Sequence, residues 1–148
     1  MSDMGKEMAG AQTTPSSIRD LACEGSALSQ ALEISRYAVS LGFEWRDVQG
    51  VWEKVYEEID EFKEAATQRD KELEFGDILF SLVNVARWSG VDPEAALTAT
   101  CDKFRRRWSF MESAAKEKGQ AIDTLGPEKL MELWKSAKRL EQDSDQQR

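Results

Sequence analysis

At 148 residues, with 41 % hydrophobic and 32 % charged side chains, the chain has the size and balance of one globular domain rather than two domains or a disordered segment. Acidic residues outnumber basic ones 28 to 20, a net charge of −8 that repels polyanions and excludes a general nucleic-acid binder. The absence of any histidine excludes Ser-His-Asp and Cys-His catalysis, His-ligated zinc and the Glu-x-x-His pairs of di-iron bundles. No run approaches the ~18 apolar residues that span a bilayer, and MSDMGKEMAGAQTTPSS at the start has no hydrophobic signal core. Cys23 and Cys101 stand far apart without metal-ligand spacing. A cytoplasmic protein with two free thiols and no membrane association is the expectation.

In chain order, residues 1–17 are small, polar and aperiodic and are expected to be flexible. Helix-compatible sequence runs from about Ile18 to Leu41, with Leu28, Leu32 and Val39 on one side and Gly42 as a stop. Asp47 is placed to cap a second helix whose Val48, Val51, Trp52, Val55, Ile59 and Phe62 recur at three- and four-residue steps, ending near Ala66. After a polar break, TQRD, a third helix is expected from about Lys71 to Trp88. Asp92-Pro93-Glu94 opens a fourth, with Leu97, Cys101, Phe104, Trp108 and Met111 on its buried side and Gly119 at its end. Gly126-Pro127 opens a short last helix with Leu130, Leu133, Trp134 and Ala137. The tail EQDSDQQR, residues 141–148, is expected to fray. With no strand-like alternation, Gly-rich phosphate loop or internal repeat, residues 18–140 read as one all-α domain of four to five helices.

At about 100° per residue, Lys54, Glu57, Glu58 and Glu61 share one sector of the second helix, beginning roughly 80° from the centre of its apolar stripe. Glu58 lies nearest the buried side, and Glu61, at i+3, can share a ligand with it. Alone, EEIDE reads as a solvated acidic face with a Lys54–Glu58 pair sooner than as a site. The third helix carries Leu73, Phe75, Ile78, Leu79, Phe80, Leu82, Val83, Val85 and Ala86 around most of its circumference, so burial on nearly all sides is expected. Its remaining sector is a polar stripe of Glu74, Asp77, Ser81 and Asn84. Buried unpaired carboxylates are strongly unfavourable or become protonated. The stripe therefore needs cations, either Lys103 and Arg107 in ion pairs or a metal. A tight antiparallel link would bring Glu58 and Glu61 toward Glu74 and Asp77, and four such carboxylates repel unless divalent cations hold them. All-oxygen ligands favour Mg2+, with Mn2+ as a substitute.

In DKFRRRW, Lys103 and Arg107 form an i,i+4 pair enclosing Arg105 and Arg106. Such a run is a solvated face or, beside a metal-loaded acidic cluster, a binding surface for a phosphate chain. The tryptophans read as core, with Trp134 the one considered for stacking on a base.

These residues resemble those of the MazG family of nucleoside triphosphate pyrophosphohydrolases, an all-α family with an E-E-x-x-E motif followed by E-x-x-D. The motifs stand here as Glu57-Glu58-Ile59-Asp60-Glu61 and Glu74-Phe75-Gly76-Asp77. The likeness continues through GFEW, KVYEEIDE, GDILF, VNVAR and DKFRRRW, covers Leu28 to Lys138, and is closest to the catalytic C-terminal domain of the tandem enzyme. It implies that Glu58, Glu61, Glu74 and Asp77 match Mg2+ ligands. Lys54, Glu57, Lys103 and Arg107 match residues around the nucleotide and its phosphates, and Trp134 matches a nucleotide-contacting tryptophan. It also implies a helical bundle completed by oligomerisation, as a homodimer or homotetramer, and conversion of a nucleoside or deoxynucleoside triphosphate to the monophosphate and pyrophosphate. Two departures stand out: a single such domain, and a shorter connection between the carboxylate motifs.

The expectation is therefore a Mg2+-dependent pyrophosphohydrolase in which Glu57 or Glu58 orients or deprotonates the attacking water and Lys103 and Arg107 neutralise the β- and γ-phosphates. Asn84 and Trp134 are candidate contacts to the nucleoside, and the sequence does not choose base or sugar. The rival readings are a non-catalytic helical nucleotide-binding or protein-interaction module, and a structural acidic bundle with internal ion pairs.

Overall fold

The computed structural model describes residues 15, 17–21 and 24–147; most of the segment 1–17 and Cys23 lie outside them. A 3-10 turn, Ile18–Asp20, precedes α1 (Ala27–Ser40), α2 (Val48–Glu64), α3 (Gln68–Trp88) and α4 (Pro93–Glu117); a second 3-10 turn, Ile122–Thr124, leads to α5 (Pro127–Gln146). The described residues contain no strand, and the all-α class holds.

Capping sets the boundaries. Gly25 stands at φ +87° just ahead of α1, and Ser26 Oγ accepts the Ser29 amide at 3.2 Å, so α1 starts at Ala27 rather than near Ile18. Asp47 caps α2 as expected, its Oδ1 accepting from the Gly50 amide at 2.9 Å. TQRD is not a break. Thr67 Oγ1 accepts the Asp70 amide at 3.0 Å, so α3 begins at Gln68 and only 65–67 separate it from α2. α1 closes when Gly42, at φ +92°, donates to Val39 O and Phe43 donates to Ala38 O, satisfying the last carbonyls. At the other end of the chain, the residues expected to fray from 141 onward continue α5 to Gln146.

The chain forms two compact units, one holding α1 to α3 as far as Pro93 and one from Glu94 onward. In the first, α2 and α3 are antiparallel. Val51 and Val55, near the start of α2, pack on Val85 near the end of α3, with Trp45, Ile59 and Trp88 around them. Phe62 meets Phe75 edge-on at 5.8 Å at the other end of the hairpin. Each buried valine contributes roughly 1.5–3 kcal/mol.

A polar network joins α1, the 43–46 loop and α3. Arg87 donates to both Glu44 oxygens, at 2.6 and 2.7 Å, and through Nε to Ser35 Oγ at 2.8 Å. Ser35 in turn donates to Asn84 Oδ1, while Trp88 Nε1 and the Trp45 amide each donate to Glu44 Oε1 at 3.0 Å. Ser35 and Asn84 are buried, and here they are satisfied by one another.

Two expectations about burial are corrected. Burial in α3 is confined to Ser81, Val83, Asn84 and Val85, while Leu73, Phe75, Leu79, Phe80 and Leu82 are exposed. Within the first unit, α1 and α2 reach only part of α3, leaving an apolar surface outward. In the second unit, Met111 and Ala115 of α4 and Ala137 of α5 are buried, but Leu97, Cys101 and Phe104 are exposed. Phe104 nevertheless meets Trp108 and Trp134, at ring separations of 6.1 and 5.0 Å.

The Arg87 hydrogen bond, ahead of the opposing effect of burial, holds the Glu44 carboxyl below its ordinary range, with Trp88 and the Trp45 amide adding to it. A lowered folded-state value contributes stability above the unfolded-state value that is lost as pH falls through the folded one. Glu44→Gln is therefore expected to cost about 1–2 kcal/mol at neutral pH, with the gap to wild type shrinking on acidification. Urea melts at pH 7 and at stepwise lower pH read this directly, and a pH-independent gap would contradict the charge-based account.

Candidate functional site

The short link between α2 and α3 sets three glutamates against one another. Glu58, on the inward edge of α2, is 5 % exposed; Glu61 stands one turn later at the surface, and half-buried Glu74 comes from α3. One carboxylate oxygen of each lies within 4.8 Å of the others. Glu58 Oε1 receives Lys54 Nζ at 2.6 Å, and Lys54 also reaches Glu57 Oε1 at 3.3 Å. Glu58 Oε2 and Glu74 Oε2 are buried and have no hydrogen-bond partner.

The charges respond as this geometry requires. Lys54 is raised above its ordinary pKa chiefly by the Glu58 hydrogen bond, against burial and with help from Glu57, so it stays a cation. Glu61, although at the surface, is raised by loss of hydration and then by the charges of Glu58, Glu74 and Glu57, with Lys54 opposing. One lysine therefore faces several carboxylates. Buried oxygen acceptors without donors, flanked by like charge and offering no nitrogen or sulfur ligand, fit a hard divalent cation.

Asp77 lies outside this group: it is exposed, and its backbone carbonyl accepts from Ser81 Oγ at 2.9 Å. The premise of a buried Asp77 is thus corrected. Among the described residues neither Glu74 nor Asp77 makes an ion pair; Arg107 instead pairs with Glu141. Asn84 is buried in the Ser35–Arg87 network. Lys103, Arg107 and Trp134 belong to the second unit, where the Arg107 guanidinium carbon lies 5.3 Å from the Trp134 ring centre. Ser35, Glu44, Arg87 and Glu141 were not singled out from sequence. The first three stand far apart along the chain, although GFEW and VNVAR contain two of them, and Glu141 lies in a segment that reads as polar tail.

Glu61→Gln removes repulsion and one carboxylate charge from the cluster together. In thermal melts without divalent cation, the variant is expected to melt above wild type. Mg2+ at 100 times its Kd should stabilise wild type by about 2.7 kcal/mol and leave the variant nearly unmoved. Equal Mg2+ responses in both proteins would remove Glu61 from the ligand set.

Residues 46–110 match the family model described as the MazG nucleotide pyrophosphohydrolase domain. A Thermotoga maritima protein named nucleoside triphosphate pyrophosphohydrolase/pyrophosphatase MazG is 46 % identical over 112 residues, 76 % of this chain and 44 % of that protein. An Escherichia coli nucleoside triphosphate pyrophosphohydrolase is 35 % identical over 133 residues, 86 % of this chain and 51 % of that one. The Bacillus subtilis protein YabN is 49 % identical over 81 residues, 55 % of this chain but 17 % of its own length. The chain thus spans about half or less of these relatives. The matched segment contains both carboxylate motifs and DKFRRRW, and over residues 46–110 the chain matches the MazG family.

Proposed function

We propose that the protein is a Mg2+-dependent pyrophosphohydrolase that cleaves the α–β bond of a nucleoside or deoxynucleoside triphosphate, releasing the monophosphate and pyrophosphate, in the cytoplasm. The observation that carries this reading is the Glu58–Glu61–Glu74 cluster, with two buried oxygens that no donor satisfies. The names of the Thermotoga maritima and Escherichia coli relatives agree with it.

Glu58, Glu61 and Glu74 hold the ion, and Asp77, one turn beyond Glu74 on α3, joins them as the fourth ligand of the resemblance. Mg2+, or Mn2+ in its place, supplies Lewis-acid chemistry at the α-phosphate and lowers the pKa of a water. Lys54 stays protonated and fixes Glu58 through its Oε1, which suits Glu58 to binding rather than to proton transfer. Glu57, exposed and more distant from Lys54, is the group that orients or deprotonates the attacking water. Lys103 and Arg107 bring positive charge to the β- and γ-phosphates, and Trp134 is assigned to nucleoside recognition by analogy with the family, with Asn84, on the same α3 stripe as Glu74, as the second candidate contact.

Incubating the protein with each triphosphate and Mg2+ and separating the products by chromatography tests the reaction. Monophosphate and pyrophosphate are expected, with Glu61→Ala lowering turnover at least about 100-fold. Orthophosphate as the first product would rule out α–β cleavage.

The exposed Phe75, Leu79 and Leu82, at i, i+4 and i+7 of α3, support assembly as a homodimer or homotetramer that covers them. Light scattering should find an oligomer for wild type and a smaller species for Leu79→Glu. An unchanged mass would place the contact elsewhere.

A further inference from the structure

Within the second unit, Lys103, Arg106 and Arg107 line a groove of about 640 Å3 with Glu141 of α5. Arg107 is the most enclosed of the three arginines in the run: its side chain is 14 % exposed, against 65 % for Arg106 and 78 % for Arg105. It is held on two sides. Its Nε donates to Glu141 Oε2 at 2.8 Å, and its guanidinium lies over the Trp134 ring. Glu141 Oε1 lies 3.8 Å from Arg106 Nε, so one carboxylate spans neighbouring arginines. Among the described residues, nothing accepts a hydrogen bond from the two terminal nitrogens of Arg107.

That division of one guanidinium is informative. A carboxylate that merely neutralised the arginine would take its terminal pair in a two-pronged bond, the stronger arrangement. Here Glu141 grips the inner nitrogen, Trp134 holds the plane, and the two outer donors are left for another planar or tetrahedral oxyanion. We propose that Glu141 is a positioning residue for polyphosphate: it acts through Arg107, fixing the guanidinium so that its terminal nitrogens meet the oxygens of the pyrophosphoryl group. The inference rests on the reading that Arg107 serves the phosphate chain, and it adds a residue from the end of α5 to that task.

Calorimetry with inorganic pyrophosphate and Mg2+ tests this without turnover. Glu141→Ala is expected to weaken pyrophosphate binding about 10-fold, while Glu141→Gln, which keeps an oxygen acceptor for Nε, stays within about 3-fold of wild type. In an Arg107→Ala background, adding Glu141→Ala should change nothing further, because the two act as one unit. Equal affinity of wild type and Glu141→Ala, or an additive loss in the double variant, overturns the proposal; an additive loss would mark Glu141 as merely supporting α5. The outcome separates from that of the proposed reaction. Failure to form pyrophosphate from any triphosphate defeats the hydrolysis, whereas failure here is read only in pyrophosphate affinity.

Discussion

Two buried carboxylate oxygens without a donor, Glu58 Oε2 and Glu74 Oε2, are the constraint to which the first unit is fitted. Their side chains meet because only 65–67 separate α2 from α3 in the antiparallel hairpin. Two full charges within 4.8 Å repel by about 3 kcal/mol at an effective dielectric constant of ~20. Burial of Val51, Val55 and Val85, at roughly 1.5–3 kcal/mol each, outweighs that repulsion and holds the glutamates together. Lys54 satisfies one face of Glu58 and cannot reach the rest. The scaffold therefore gathers three carboxylates into a cluster deficient in positive charge, a deficiency that a divalent cation would meet.

The same helix carries a second inversion. Ser81 and Asn84 turn toward the interior of α3's surroundings, while Phe75, Leu79 and Leu82 remain at the surface. Buried polar groups persist only where partners exist: Asn84 Oδ1 accepts from Ser35 of α1, which itself accepts from Arg87, and Ser81 donates to the Asp77 carbonyl. Arg87 then ties Glu44 to the helix and fixes the loop that enters α2. The polar network thus does for the α1–α3 contact what the valines do for α2–α3. The exposed apolar residues mark where α1 and α2 stop supplying neighbours.

Periodicity and caps made much of this legible. The three-four spacing of Val48 to Phe62 sets α2, Asp47 marks its start, and EEIDE with EFGD contains the Glu58, Glu61 and Glu74 that the hairpin gathers. TQRD was misread because Thr67 caps as well as it breaks; its hydroxyl serves the Asp70 amide. Burial around α3 was misjudged because apolar coverage shows that a surface needs covering and not which chain covers it. That error carried Asp77 with it, placing it inside when it is exposed. The Ser35–Glu44–Arg87 network joins residues more than 40 positions apart, a pairing that no local pattern encodes.

The basic run shows what sequence and structure each contribute. DKFRRRW places positive charge on one helix, but charge alone does not distinguish a solvated face from a binding surface. The structure separates the three arginines: Arg105 pairs locally with Asp102, Arg106 lies loosely near Glu141, and Arg107 is enclosed between Glu141 and Trp134. Ordering a long side chain costs up to roughly 2 kcal/mol of rotamer freedom, and for Arg107 that cost is met by folding rather than by ligand binding. An arginine fixed in advance with its outer donors free is better suited to an oxyanion than a mobile neighbour of equal charge. α5 makes this possible by remaining helical past Leu140, so the polar end of the chain carries the carboxylate that holds Arg107.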